Sequence, residues 1–224
     1  MSKHFQREID ALKRKLLNLS SQIEDLVHKA VKSVEDRDGE LAQTVIASDN
    51  QIDDMEVAVE EECLKLLALY QPVAIDLRIV IAILKINNDL ERIGDLACNI
   101  ADRALLLAAR KKVAAIFPFQ DMSQKVKLML HKSLVSFVNL DIKIAGEVCS
   151  SDIEVDLIHR DVHKLIEDAA RLRPEDIDAL LYYLSVSRNL ERIADHATNI
   201  AEDVIYIVEG EIVRHSDLRE VTGD

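Results

Sequence analysis

Leu90-Glu91-Arg92-Ile93-Gly94-Asp95-Leu96-Ala97-Cys98-Asn99-Ile100-Ala101-Asp102 returns 100 residues later as Leu190-Glu191-Arg192-Ile193-Ala194-Asp195-His196-Ala197-Thr198-Asn199-Ile200-Ala201-Glu202. Nine of the thirteen positions are identical. Nearer the N-terminus the offset becomes 103: His28-Lys29 matches His131-Lys132, Asp49 matches Asp152 and Asp53 matches Asp156. Self-similarity at a fixed period marks a duplicated structural unit. The chain therefore reads as one unit written twice.

The unit is helical. From Phe5 to Val34, apolar residues at Ile9, Leu12, Leu16, Leu19, Ile23, Leu26, Ala30 and Val34 recur in steps of three and four, the spacing of one helix face. Asp36-Arg37-Asp38-Gly39 interrupts the pattern. A second helix is predicted from about Glu40 to Leu69, ending ahead of Pro72, since a residue before proline disfavours the helical conformation. A third runs from about Val73 to Lys112, and Phe117-Pro118-Phe119 breaks the chain. A fourth starts near Asp121 and bends or ends at Asn139-Leu140, and a fifth continues to about Leu172. Pro174 with Glu175 and Asp176 opens a sixth, ending near Gly210; proline and acids suit a helix N-terminus. The expected fold is all-α, with six long helices in two tandem three-helix bundles, 1–113 and 116–224.

Composition narrows the function. The 224 residues hold 28 Lys+Arg against 41 Asp+Glu, a net charge of −13. Nucleic-acid binding needs a basic face and stacking aromatics, and the chain has no Trp, four Phe and four Tyr. So acidic a surface calls for basic or metal-bearing partners. Cys63, Cys98 and Cys149 are far apart, with no CxxC, so reduced thiols in the cytosol are the simple reading. The longest apolar runs, Ile79–Leu84 and Ala104–Ala109, fall far short of the roughly 20 residues that span a bilayer. Membrane association would come only through partners.

Four carboxylate pairs share one spacing: Asp49/Asp53, Glu91/Asp95, Asp152/Asp156 and Glu191/Asp195. Residues four apart lie on one helix face, and like charges there cost about 0.2–0.5 kcal/mol per pair. Acceptance of that cost at matching places in both repeats points to a compensating role. Carboxylate oxygens suit hard or borderline cations. At about 100° per residue, Glu91, Asp95, Asn99 and Asp102 form one stripe, and Ile93, Ala97, Ile100 and Ala104 lie opposite. The stripe should face away from the core, so a metal would sit at the surface, shared with the Asp49/Asp53 helix. Following the Asp49/Asp53 stripe leads to Glu56 and Glu60, but the Asp152/Asp156 stripe leads to His159 and His163. Imidazole shifts preference toward zinc, iron or nickel, so the C-terminal site is expected to bind transition metals more tightly. Arg92 and Arg192 are expected to pair with a neighbouring helix. Cys98 reads as a small core residue, and His28, His131 and His196 as packing or surface residues.

These segments resemble the PhoU family. The resemblance rests on the two LERI(G/A)D motifs, their DxxxD partners, and Gln71-Pro72-Val73-Ala74 followed by Asp76-Leu77-Arg78. It covers essentially the whole chain. It implies two related three-helix bundles, often dimeric, with metal ions or clusters on the E/DxxxD surfaces. It carries a metal role onto Asp49, Asp53, Glu91, Asp95, Asp152, Asp156, Glu191 and Asp195, with Asn99 and Asn199 as additional contacts. Candidate ions are divalent or trivalent: iron, zinc, manganese or magnesium. The resemblance also implies a cytoplasmic, non-enzymatic negative regulator of the phosphate-starvation response. Its expected partners are the ATPase subunit of the phosphate transporter and the PAS domain of a membrane sensor kinase. Ala194 stands where the family commonly has glycine.

Two rival classes exist. A carboxylate-bridged di-metal enzyme needs inward-facing ligands and usually an ExxH pair on each of two helices, and neither motif supplies one. No P-loop, nucleophile elbow or HExxH occurs. A purely structural helix-pairing protein would use its acids only as solvated faces.

Overall fold

The computed structural model describes residues 3–113 and 117–210. It holds seven α-helices: α1 Lys3–Asp36, α2 Gly39–Ala47, α3 Asp49–Tyr70, α4 Ala74–Ala108, α5 Phe119–Asn139, α6 Ile142–Leu172 and α7 Ile177–Glu209. A 3₁₀ turn at Pro174–Asp176 leads into α7. Helices α2 and α3 together occupy the place of the second expected rod, so each repeat supplies three rods. No strand occurs among the described residues, and none of their helices is long and apolar enough to cross a membrane.

The repeats share a turn. Arg37 and Leu140 both take a left-handed conformation, with φ of 54° and 51°. The amides of the next residues, Asp38 and Asp141, close onto the Ser33 and Ser136 carbonyls, the wider bond of a Schellman-type helix end. Asp38 then caps α2 through the Leu41 amide, and Asp141 caps α6 through Lys143 and Ile144. Each cap satisfies amides that a helix start leaves without partners.

Two expected boundaries change. The predicted rod from Glu40 breaks at Ser48, whose hydroxyl donates to the Val45 carbonyl at 2.7 Å, three residues back. In the second repeat, Ser151 donates four residues back to Glu147 at 2.8 Å, and α6 runs on unbroken. Helix α4 stops at Ala108 instead of continuing to Lys112. There the Arg37 guanidinium takes the carbonyls of Leu107 and Arg110, closing the helix end with a cation.

The apolar stripe of α1 is buried throughout, from Phe5 to Val34. The most extensive helix pair joins the repeats: α4 against α7. They run antiparallel. Arg78 Nε donates to the Ile207 carbonyl at 3.1 Å, Lys85 meets Asp203 at 2.9 Å, and Arg110 meets Asp178 at 2.9 Å. Helices α1 and α5 also cross between repeats, with Lys127 Nζ 2.6 Å from His28 Nδ1. The family of contacts relates the two units by an approximate two-fold, with α2, α3 and α6 on the outside.

Candidate functional site: two carboxylate faces

Helix α3 carries Asp49 and Asp53, and α4 carries Glu91 and Asp95 on the face opposite Ile93 and Ala97, which are fully buried. Asp53 and Asp95 are exposed, while Asp49 and Glu91 are half-buried. The stripe thus faces out of the bundle, as its angles require. The four acids act on one another. Partial burial raises the Glu91 carboxyl, and repulsion from Asp95, Asp53 and Asp49 adds to it. Asp95 is raised by burial and then by Asp49 and Asp53.

The second repeat builds the same face from α6 and α7. Asp152 is pushed up to about 6 by burial, then by Asp195, Asp156, Glu191 and Glu202. Asp195 and Glu191 are likewise raised, by burial first and Asp156 among the neighbouring charges. Burial is the larger cause throughout, and crowding of anionic oxygens adds to it. That donor chemistry fits a hard or borderline cation. Among the described residues, however, no three His, Cys, Asp or Glu side chains stand close enough together to hold one ion as they are. Ligation would require the side chains to converge.

Several residues sit differently from their sequence readings. Arg92 and Arg192 form no salt bridge to a neighbouring helix among the described residues. Each instead offsets the acids beside it on its own helix, Arg92 with Glu91 and Asp95, Arg192 with Glu191 and Asp195. Cys98 is not a pure core residue: its thiol donates to Asp49 Oδ1 at 3.4 Å. Burial, followed by Asp49, pushes that thiol up to about 12. Glu56 also belongs to the first face: burial raises it, with Glu60, Glu91 and Asp53 contributing. Glu202 joins the second face, and its alignment with Asp102 was the available signal. Asn99 is exposed beside the first face, whereas Asn199 donates toward Asp89 at 3.4 Å.

His159 and His163 occupy neighbouring turns of α6, their rings 6.4 Å apart and edge-on. His159 Nδ1 lies 2.8 Å from the Ser187 hydroxyl, and burial holds its ring toward the neutral form. Both imidazoles line a cleft with Arg188, Ser185, Leu181 and Leu184.

An all-helical fold of two antiparallel-packed repeats, each with an outward acidic face, defines a duplicated, carboxylate-lined helical-bundle protein. The family model described as "PhoU domain" matches residues 16–104 and again 119–204. The chain belongs to the PhoU family. It is 37% identical over 214 residues to a "Phosphate-specific transport system accessory protein PhoU homolog" of Aquifex aeolicus, covering 96% of this chain and 97% of that one. A Thermotoga maritima relative of the same description, homolog 1, is 33% identical over 208 residues, covering 92% and 90%. The crystal structure of PhoU from Pseudomonas aeruginosa matches with a TM-score of 0.89 at 36% identity, over 92% of this chain and all of that one (100%). That of the phosphate transport system regulatory protein PhoU from Streptococcus pneumoniae matches with a TM-score of 0.82 at 30% identity, covering 93% and 99%.

Proposed function

We propose that this chain is a non-enzymatic cytoplasmic adaptor of phosphate transport that holds the phosphate-starvation response down when phosphate is plentiful. It would do so by linking the ATPase subunit of a phosphate transporter to the PAS domain of a sensor kinase. The observation that carries this reading is that two PhoU domains occupy most of the chain, and relatives named as phosphate-transport accessory proteins match it nearly end to end. The acidic faces are proposed to take up divalent or trivalent cations, held by Asp49, Asp53, Glu91 and Asp95 on one side and Asp152, Asp156, Glu191 and Asp195 on the other. A cation there would relieve the mutual repulsion of these carboxylates and would turn two acidic faces into docking surfaces. A switch between transport states then requires different affinity for those states.

The outward direction of both faces speaks against a di-metal oxidase, which holds its ligands in the bundle interior. The wide spacing of the acids favours a second reading, a helical scaffold with solvated faces.

The test is complementation. The chain is expressed in a bacterium deleted for its own PhoU-family gene, grown with ample phosphate and carrying a starvation-inducible reporter. The expected result is restored repression, with capture of the transporter ATPase and of the isolated PAS domain by the purified chain. A reporter that stays induced despite folded, soluble protein, with neither partner captured, would overturn the adaptor reading.

A further inference from the structure

The duplication supplies an internal comparison, and it exposes one place where the two repeats have opposite charge. At the offsets established above, Glu56 and Glu60 correspond to His159 and His163, Asn87 to Ser187 and Asn88 to Arg188. The local architecture is kept. Asn87 Nδ2 donates to Glu56 Oε1 at 2.8 Å in the first repeat, and His159 Nδ1 lies 2.8 Å from Ser187 Oγ in the second. One hydrogen bond therefore joins the same two rods in both units, while the groups around it have changed from acids to donors.

The cross-repeat pair has also been exchanged. Lys85 and Asp203 form an ion pair at 2.9 Å. Their counterparts are Ser185 and Arg103, and here Arg103 Nε donates to Ser185 Oγ at 3.3 Å. The buried carboxylate of one side is thus replaced by a guanidinium on the other. The result is an open cleft of about 360 Å³ lined by His159, His163, Leu181, Leu184, Ser185 and Arg188. Arg103 reaches its Ser185 wall from the other repeat. No carboxylate is among the lining residues. His163 has Glu167 behind it at 3.7 Å, with both side chains about half exposed (55%). Asp156 and Glu191 lie on the neighbouring acidic face, where Arg188 opposes the charge of Glu191. Among the described residues Arg188 forms no salt bridge of its own.

We infer that this cleft is an anion site for a phosphoryl group, free or esterified. Arg188 would supply the charge and a planar fork of donors, the arrangement suited to phosphate oxygens. Arg103 and Ser185 would contribute a second charge and a hydroxyl, and the exposed imidazole of His163 a further donor. Leu181 and Leu184 give one wall apolar character, which leaves room for the organic part of an ester. A guanidinium beside the two imidazoles disfavours a cation at the same place. The inference stands apart from the adaptor reading: the site would exist whether or not the chain docks on a transporter.

The experiment is calorimetric titration of the full chain in metal-free buffer with inorganic phosphate, and in parallel with phenyl phosphate. The expected result is saturable binding with a dissociation constant of about 1 mM or tighter. Arg188→Asn, which installs the residue of the other repeat at an exposed position, should weaken it at least about tenfold, equal to about 1.4 kcal/mol. His163→Glu, also exposed, should do the same, while helicity by circular dichroism stays unchanged. A preference for phosphate over phenyl phosphate identifies a free-anion site, and the reverse an esterified one. Absence of binding by both probes, equal binding by Arg188→Asn, or binding that appears only after zinc is added would each overturn the inference.

Discussion

His196 Nδ1 lies 2.8 Å from Asp89 Oδ1 across the α4–α7 seam, with side chains only 14% and 13% exposed. The approximate two-fold maps this polar pair onto Leu96 and Asn189, both buried, at 3% and 8% exposure. The seam is therefore asymmetric here as well: a His–Asp pair on one side and a Leu–Asn pair on the other. His196→Leu alone should leave the Asp89 carboxylate with only the long bond from Asn199 and destabilise the fold by about 1–3 kcal/mol. Adding Asp89→Asn, which copies the other side, should recover most of the loss. Urea unfolding of the four proteins measures the coupling. Strictly additive effects would show that the pair does not act as a unit.

Asp152 gives stability a pH slope. Its carboxyl is raised from 3.8 to about 6 in the folded chain. Between those values the native state holds a proton that the unfolded state has lost. Stability is then fully present below about 4 and falls as pH rises through about 6, with a plateau above. Asp152→Asn should flatten this slope and stabilise the metal-free protein at neutral pH by on the order of 1–2 kcal/mol, after discounting for solvent exposure. Chemical unfolding at a series of pH values from acid to neutral checks it. A slope of the same size in the variant would assign the effect to other acids of the cluster.

Metal content tests the acidic faces directly. The parent chain, gently purified, is compared with a variant carrying Asp49→Asn, Asp53→Asn, Asp152→Asn and Asp156→Asn. Plasma mass spectrometry should find metal in the parent and little in the variant, which should remain folded. An added ion at about 100 times its dissociation constant should raise parent stability by about 2.7 kcal/mol and leave the variant's unchanged. Equal metal in both would place any ion elsewhere, and none in either after reloading would favour the solvated-scaffold reading.

Arg37 closes α4 from the turn after α1. Its guanidinium meets the Leu107 and Arg110 carbonyls while its own backbone has a φ of 54°. Arg37→Ala should lose the charged hydrogen bonds, about 1.5–3 kcal/mol, and keep the backbone strain. Arg37→Gly should be less harmful by about 1 kcal/mol because glycine accepts that conformation freely. Thermal unfolding ranks the three proteins, and an alanine variant more stable than the glycine one would contradict this account.

The duplication and the helix periods were legible because each rests on local spacing. The apolar steps from Ile9 to Val34 are the buried face of α1, and the acid stripes face outward as their angles require. What joins distant segments left no such pattern. Nothing near Lys85 announces Asp203, and nothing near Asp89 announces His196, since each partner lies in the other repeat. Ser48 and Ser151 are the same residue in matching places, yet one hydroxyl turns back three residues and the other four. That choice belongs to packing rather than composition. Cys98 packs against the core as its small size suggests, but it stands at the edge of the acidic face, where its thiol also reaches Asp49.

Helix α4 ends at Ala108, but α7, its most extensive partner, begins only at Ile177. During synthesis, at about 5–20 residues per second, its inner face would wait several seconds for α7 to leave the ribosome. The first repeat is born with an open side. Anything that shortens that delay or shields the side, a chaperone or another nascent copy, therefore has its moment before α7 exists.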